Sequence, residues 1–169
     1  MDAALARQLT SGLDSLGVAA NFAQQQLLLD YLALLTKWNR AYNLTAIRDP
    51  AAMVTRHLLD SLAVAPWLTG DRCIDVGTGA GLPGIPLAIL FPQRAFDLLD
   101  SNGKKTRFLF QAKTALGLEN VTVHHARVES FSPDCCYDAV LSRAFASLSD
   151  MLAGTRHLLC PGGVLLAMK

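Results

Sequence analysis

Apolar side chains recur at helical spacing through the first third of the chain. Leu27, Tyr31, Leu34, Leu35, Trp38 and Tyr42 form one such stripe, which predicts a helix with its buried side along them. Asn21, with Gln24 three residues on, supplies a start signal close to a capping box. Asp49 followed by Pro50 marks a second helix start. A helix running on from there sets Met53, His57, Ser61 and Leu62 near one another along one side. Residues 1–66 therefore read as a helical unit.

After Gly70-Asp71 the pattern changes. Short apolar runs at 72–76, 94–99, 121–124, 137–142 and 164–168 predict five strands. Helices fit 84–91 and 104–116, the latter stopped by Gly117. Ser147, with Asp150 three residues later, opens a further helix that should end before Pro161-Gly162-Gly163. Strands alternating with helices imply an α/β fold, a parallel sheet covered on both faces. The expected organisation is a helical extension over 1–66 packed on a Rossmann-like core over 67–169.

The first strand runs into Asp75-Val76-Gly77-Thr78-Gly79-Ala80-Gly81-Leu82-Pro83-Gly84, directly before a helix. Glycines are needed where the chain must turn sharply and a nucleoside must approach the backbone. Gly79 to Gly84 matches the dinucleotide pattern Gly-x-Gly-x-x-Gly, but its register is wrong. That fingerprint should begin at Gly77, and its third glycine would then fall on Leu82. Acid-x-Gly-x-Gly-x-Gly, from Asp75 through Gly77 and Gly79 to Gly81, is the pattern of an S-adenosylmethionine loop. An acidic residue there suits a ligand with a sulfonium and an amino group, and would repel a pyrophosphate. Asp100 closes the second strand about twenty residues on, the position of a carboxylate that accepts ribose hydroxyls. A glycine turn without ligand and a helix-capping Asp100 are the plainer alternatives.

Composition narrows the field. The 169 residues suffice for one domain with a real core, and 51% hydrophobic against 17% charged residues excludes a disordered chain. Net charge is +1, unlike proteins that hold nucleic acid by charge alone. No apolar run approaches the ~18 residues of a membrane span, and the N-terminus lacks signal-peptide features, so a cytoplasmic protein is expected. The four cysteines form no Cys-x-x-Cys pair, so reduced thiols and no metal site are expected.

Several segments together resemble one family. They are Trp38-Asn39-Arg40-Ala41-Tyr42-Asn43-Leu44-Thr45, His57-Leu58-Leu59-Asp60-Ser61-Leu62, the loop extended through Ile85-Pro86, Asp100-Ser101-Asn102-Gly103-Lys104-Lys105, and Ser142-Arg143-Ala144-Phe145. The chain resembles the bacterial 16S ribosomal RNA guanine-N7 methyltransferase G family (RsmG), also known as glucose-inhibited division protein B (GidB). The likeness runs from the first helices to Lys169. It implies a class I methyltransferase fold, S-adenosyl-L-methionine as donor, and 16S rRNA as substrate, within the small ribosomal subunit or its precursor. The family's target is guanine 527 of that RNA. Such folds end in two further strands, so the expectation is a core whose C-terminal strands are missing.

The resemblance also implies site residues. Gly77 and Leu82 match cofactor contacts in the loop, Val128 and Glu129 match contacts around the adenine, and Arg143 matches a binding-site arginine. Arg40, Arg56, Lys104, Lys105, Arg127 and Lys169 are candidate RNA contacts; solvated surface charge is the alternative. No Asn/Asp-Pro-Pro-aromatic motif follows the fourth strand. Guanine N7 has an in-plane lone pair and no proton to lose, so direct in-line attack needs no general base. No catalytic residue is therefore expected; Arg143 and Phe145 are positioning candidates, with Phe145 stacking on the base or sitting in the core. His57 is expected to hydrogen-bond near the glycine loop. A methyltransferase of small molecules or proteins, or a domain that binds cofactor or RNA without turnover, are the competing functions.

Overall fold

The computed structural model describes residues 2–168. Helix α1 (Ala3–Leu16) is capped by the Asp2 carboxylate, which accepts from Ala4 N–H, and stops at Gly17 in the left-handed region. Helix α2 (Phe22–Tyr42) starts at the expected capping box. Asn21 accepts from Gln24 N–H, and the Gln24 side chain accepts from Asn21 N–H in return. Its fully buried face is Leu28, Leu29, Tyr31, Leu32, Leu35 and Asn39. Of the expected stripe, Tyr31 and Leu35 are fully buried, Leu27, Leu34 and Trp38 are half-buried against the same core, and Tyr42 is exposed, so the buried face is centred slightly to one side of the expected one. Apolar residues on two sides made the choice of face ambiguous from periodicity alone.

The helix begun by Asp49 and Pro50 is not uniform. It runs as α3 (Pro50–Met53), widens into a π-helical turn at Val54–Leu59, and resumes as α4 (Asp60–Leu62). π-turns inside helices recur at functional sites. Strands β1 (Arg72–Val76), β2 (Ala95–Asp100), β3 (Val121–His125), β4 (Tyr137–Ser142) and β5 (Leu159–Ala167) form one sheet in the order β3-β2-β1-β4-β5, every pairing parallel. Between them lie α5 (Gly84–Leu90), α6 (Gly103–Leu116) and α7 (Leu148–Thr155). The strand order reverses at β1, so the connections leaving β1 and β4 part there and open a crevice at the strands' carboxyl ends.

One face of the sheet and the N-terminal helices share a single core. Leu9, Leu28, Tyr31 and Leu58 lie in the same apolar cluster as Phe96, Leu98 and Phe108. The other face, with Ile74, Val76, Leu99 and Val140, packs under α7 through Met151. Among the described residues no helix is long and apolar enough to cross a membrane.

Two expectations change. β5 begins at Leu159, not at residue 164, because Pro161-Gly162-Gly163 is a bulge inside the strand rather than a loop before it. Register passes from Tyr137↔Leu159 to Ala139↔Val164, absorbing the extra residues, and Gly162 adopts a φ of +78° there. The same pairing brings Cys136 and Cys160 together as a disulfide, against the expectation of four thiols. They are 24 residues apart in sequence, and only strand register makes them neighbours. Cys73 and Cys135 are free. Among the described residues no group of three His, Cys, Asp or Glu side chains is placed to hold a metal.

Candidate functional site

The loop after β1 is stitched to β2 by Gly77 N–H and Thr78 N–H, which donate to the Leu99 carbonyl at 2.8 and 3.1 Å. Gly77 has a φ of +66°, and a Cβ there would stand 2.5 Å from the Ala144 methyl. Only glycine lets the loop and the segment after β4 approach so closely. Gly81 has a φ of +93° and is required for a different reason. A Cβ there would press on Ile85 and Leu109, both in the core. Gly81 and Leu82 are thus buried loop supports rather than walls of the open cleft. Gly79 differs again, because the nearest atom to a Cβ there would be Lys105 Nζ at 4.0 Å.

Asp75 lies beneath the loop rather than beside it. It is fully buried; its Oδ2 accepts from Thr78 Oγ1–H at 2.7 Å and from Gly84 N–H at 2.8 Å, pinning both ends of the loop. Its Oδ1 has no partner. Burial pushes the carboxyl up to about 7, and the Asp100 charge adds to this; the two hydrogen bonds and the Arg143 charge oppose it. A carboxyl whose folded pKa is raised contributes full stability below its ordinary value of 3.8 and loses it as pH rises through about 7. Thermal melts of ligand-free protein at about pH 5 and pH 8 should therefore show a decline that Asp75→Asn flattens. An unchanged decline in the variant would place the titrating group elsewhere.

Tyr31 is a loop support that its place in a core stripe concealed. Its buried hydroxyl donates to the Ala80 carbonyl at 2.8 Å, tying α2 to the loop. Burial holds that hydroxyl well above the ordinary tyrosine range, so it remains a donor. A tyrosine at a core position needs a partner for its hydroxyl, and that was the available signal.

Asp100 ends β2 with both oxygens engaged. Oδ2 accepts from Gly79 N–H and Oδ1 from Asn102 N–H, each at 2.8 Å. Each oxygen retains a further lone pair toward the cleft. That cleft has a volume of about 280 Å³. Gly77, Asp100, Lys105, Arg127, Val128, Glu129 and Phe145 line it, so seven residues named from sequence do meet around one opening. Val128 and Glu129 sit on a 3₁₀ turn just after β3. Phe145 both lines the cleft and packs on the second apolar cluster, its ring 3.1 Å from where a Gly154 Cβ would be.

The remaining candidates fall elsewhere. Arg143 is partly buried, its Nη1 3.6 Å from Asp60 Oδ2, an ion pair too long for a hydrogen bond. Arg40 lines a separate groove with Pro50, Arg56 is exposed on the π-turn, and Lys104 is exposed at the start of α6. Lys169 lies outside the described residues. His57 makes no hydrogen bond to the glycine loop; its Nε2 is 2.8 Å from Thr45 Oγ1 and its Nδ1 has no partner. Buried Asn39 holds that turn by bonding Thr45 N–H and the Ile47 carbonyl.

The sequence profile of the family described as rRNA small subunit methyltransferase G matches residues 24–169. The chain belongs to that family. The family's relatives include the ribosomal RNA small subunit methyltransferase G of Cellvibrio japonicus, 57% identical over 174 residues, covering 100% of this chain and 80% of that protein. The Hydrogenovibrio crunogenus protein of the same name is 61% identical over 162 residues, covering 96% and 75%. Among solved structures, a SAM-dependent methyltransferase from Thiobacillus denitrificans in complex with S-adenosyl-L-homocysteine superposes with a TM-score of 0.54 at 18% identity, covering 79% of this chain and 54% of that one. A glycopeptide N-methyltransferase gives 0.56 at 16%, covering 66% and 47%. This chain thus spans about half of those structures, and at such identities they establish the Rossmann-like class I methyltransferase fold for the methyltransferase G family chain.

Proposed function

We propose that this chain transfers a methyl group from S-adenosyl-L-methionine to N7 of the guanine its family targets in 16S rRNA. The family match over residues 24–169 carries the reading, and the site's chemistry fits it. The donor supplies an electrophilic methyl on a sulfonium. Gly79 presents backbone with open space beside it, Asp75 keeps an unpartnered buried oxygen, and Asp100 offers free lone pairs at the cleft. These are the features a cationic nucleoside needs.

In this reading Asp100 holds the ribose, while Val128 and Glu129 border the adenine. Guanine N7 carries no proton, so the step needs no base from the chain. Its residues act by positioning, which can supply roughly 7–11 kcal/mol in favourable cases. Arg143 must stay off N7, because a donor there would occupy the attacking lone pair. Phe145 offers a half-buried ring at the cleft on which an unstacked base can rest. Lys104 and Lys105, at the start of α6, and Arg127 across the cleft suit phosphates of the RNA backbone. A net charge of +1 suits a substrate presented by the small subunit or its precursor in the cytoplasm, where shape as well as charge selects the site.

The test is transfer of labelled methyl to 16S rRNA from a strain lacking this modification, followed by mapping of the modified atom. One methyl at guanine N7 is expected. A methyl on an exocyclic amine or at C5 would refute the base-free step. Transfer to proteins or small molecules instead would move the chain to another substrate class on the same fold.

A further inference from the structure

Three of the four cysteines meet at one corner of the molecule. Cys135 and Cys136 immediately precede β4, and Cys160 is the second residue of β5. Cys136 and Cys160 are joined as a disulfide, and Cys135 is a free thiol next to it in the chain. This corner is open to solvent: Cys135 and Cys136 are exposed, and Cys160 is half-buried. Cys73 is the opposite case. It is buried within β1, and burial pushes its thiol up to about 12, so it stays protonated and inert.

A disulfide opens when a thiolate reaches one of its sulfurs, and burial is what denies that approach. Here the exposed Cys136 is the accessible partner. A small thiolate attacks Cys136 Sγ and forms a mixed disulfide there. The bond to Cys160 breaks, and Cys160 leaves with the electron pair as a thiolate that takes a proton from water. A second small thiolate attacks the small-molecule sulfur of the mixed disulfide and frees Cys136. The protein pair is reduced to two thiols, and two small thiols are oxidised to one small disulfide. The reverse sequence, started by the small disulfide, closes the pair.

The fold gives this bond something to hold. Register passes from Tyr137↔Leu159 directly to Ala139↔Val164, which leaves Cys160, Pro161, Gly162 and Gly163 without partner residues on β4. Pro161 also has no N–H to offer the ladder. Gly163 is tucked against β4, where a Cβ would stand 2.9 Å from the Asp138 carbonyl oxygen. Between Leu159 and Gly163 the bulge is clamped to β4 by the bond from Cys160 to Cys136. The clamp sits at the amino ends of the strands, and the six residues of β4 separate it from the cleft at their carboxyl ends.

We propose that Cys136 and Cys160 form a thiol–disulfide exchange site for small thiols of the glutathione class, and that its state sets whether the bulge of β5 is locked to β4. The closed pair is the locked state described above. The open pair leaves β5 joined to β4 only from Val164 onward and at Leu159.

The test treats the whole folded chain with reduced glutathione and then with oxidised glutathione. Each step is quenched by alkylation and read by peptide mass spectrometry. Reduced glutathione should open Cys136–Cys160 without denaturant, and oxidised glutathione should close it again. Opening should speed hydrogen exchange at the Cys160, Gly162 and Gly163 amides by roughly 10-fold or more, with β1 and β2 unchanged. The double variant Cys136→Ser, Cys160→Ser should show the fast exchange in either buffer, which separates loss of the bond from attachment of glutathione. Cys135→Ser should open and close as wild type does. A bond that opens only in denaturant overturns the proposal, as does glutathione held on Cys135 while Cys136–Cys160 stays intact. Equal amide exchange in the open and closed protein removes the lock.

Discussion

Asp100→Ala should abolish measurable binding of S-adenosylhomocysteine, with a loss of more than about 100-fold, while the sheet still forms. The carboxylate clamps the glycine loop through Gly79 N–H and the start of α6 through Asn102 N–H, both at 2.8 Å. Each is a charge-assisted bond of roughly 1.5–3 kcal/mol, at a residue only 8% exposed. Removing it frees the loop and takes away the ribose acceptors together. Asp100→Asn is the sharper variant. Its carbonyl can serve one of the two N–H groups, while its NH₂ turns a donor toward the other. It should lower the melting temperature by several degrees and still lose most binding. Calorimetry with circular dichroism checks both parts. Full-strength binding by a well-folded Asp100→Asn would remove this residue from the ligand site.

Gly84→Ala should be the most damaging single methyl in the core. A Cβ there would collide with Leu98, which is fully buried, and sit 3.0 Å from Asp75 Oδ2 and 3.2 Å from Asp75 Cβ. Leu98 cannot swing away into a packed interior. Moving Asp75 would break its bonds to Thr78 and Gly84, which hold the loop. Overpacking typically costs 1–3 kcal/mol, so a loss of ~3 kcal/mol and a fall of ~6–12 °C in Tm are expected for a chain of this size. S-adenosylhomocysteine affinity should fall too, because the loop shares the displaced carboxylate. A variant within about 2 °C of wild type would show that the loop can shift at little cost.

The two variants act through one assembly of loop, strand ends and helix starts. The residues that build it are hydrogen-bonded to one another before any ligand arrives, which is the preorganisation that positioning chemistry needs. Asp75 is the exception, since one of its oxygens is left without a partner in the buried interior. A ligand cation that pairs with it would hold it ionised near neutral pH, against the burial that raises it.

Periodicity, caps and the glycine spacing by themselves determined the α/β class, the Asn21–Gln24 capping box, the loop after β1 and the carboxylate at the end of β2. All of these are local: each depends on residues within a few positions of one another, where side-chain period and backbone sterics act directly. Of the seven site residues that meet at the cleft, Gly77 and Asp100 were legible from the glycine spacing and the strand end, while Val128 and Glu129 came only from the family resemblance; all seven lie at or after strand ends, and parallel strands deliver their carboxyl ends to one crevice. Register and contact at a distance were decided only by the tertiary structure. The bulge that extends β5 back to Leu159, the Cys136–Cys160 bridge and the bond from Tyr31 to Ala80 each join segments that sequence spacing does not relate. Which buried polar atom finds a partner depends on how the helical extension packs on the sheet. That packing is set by volume and shape across the whole core, and no local pattern records it.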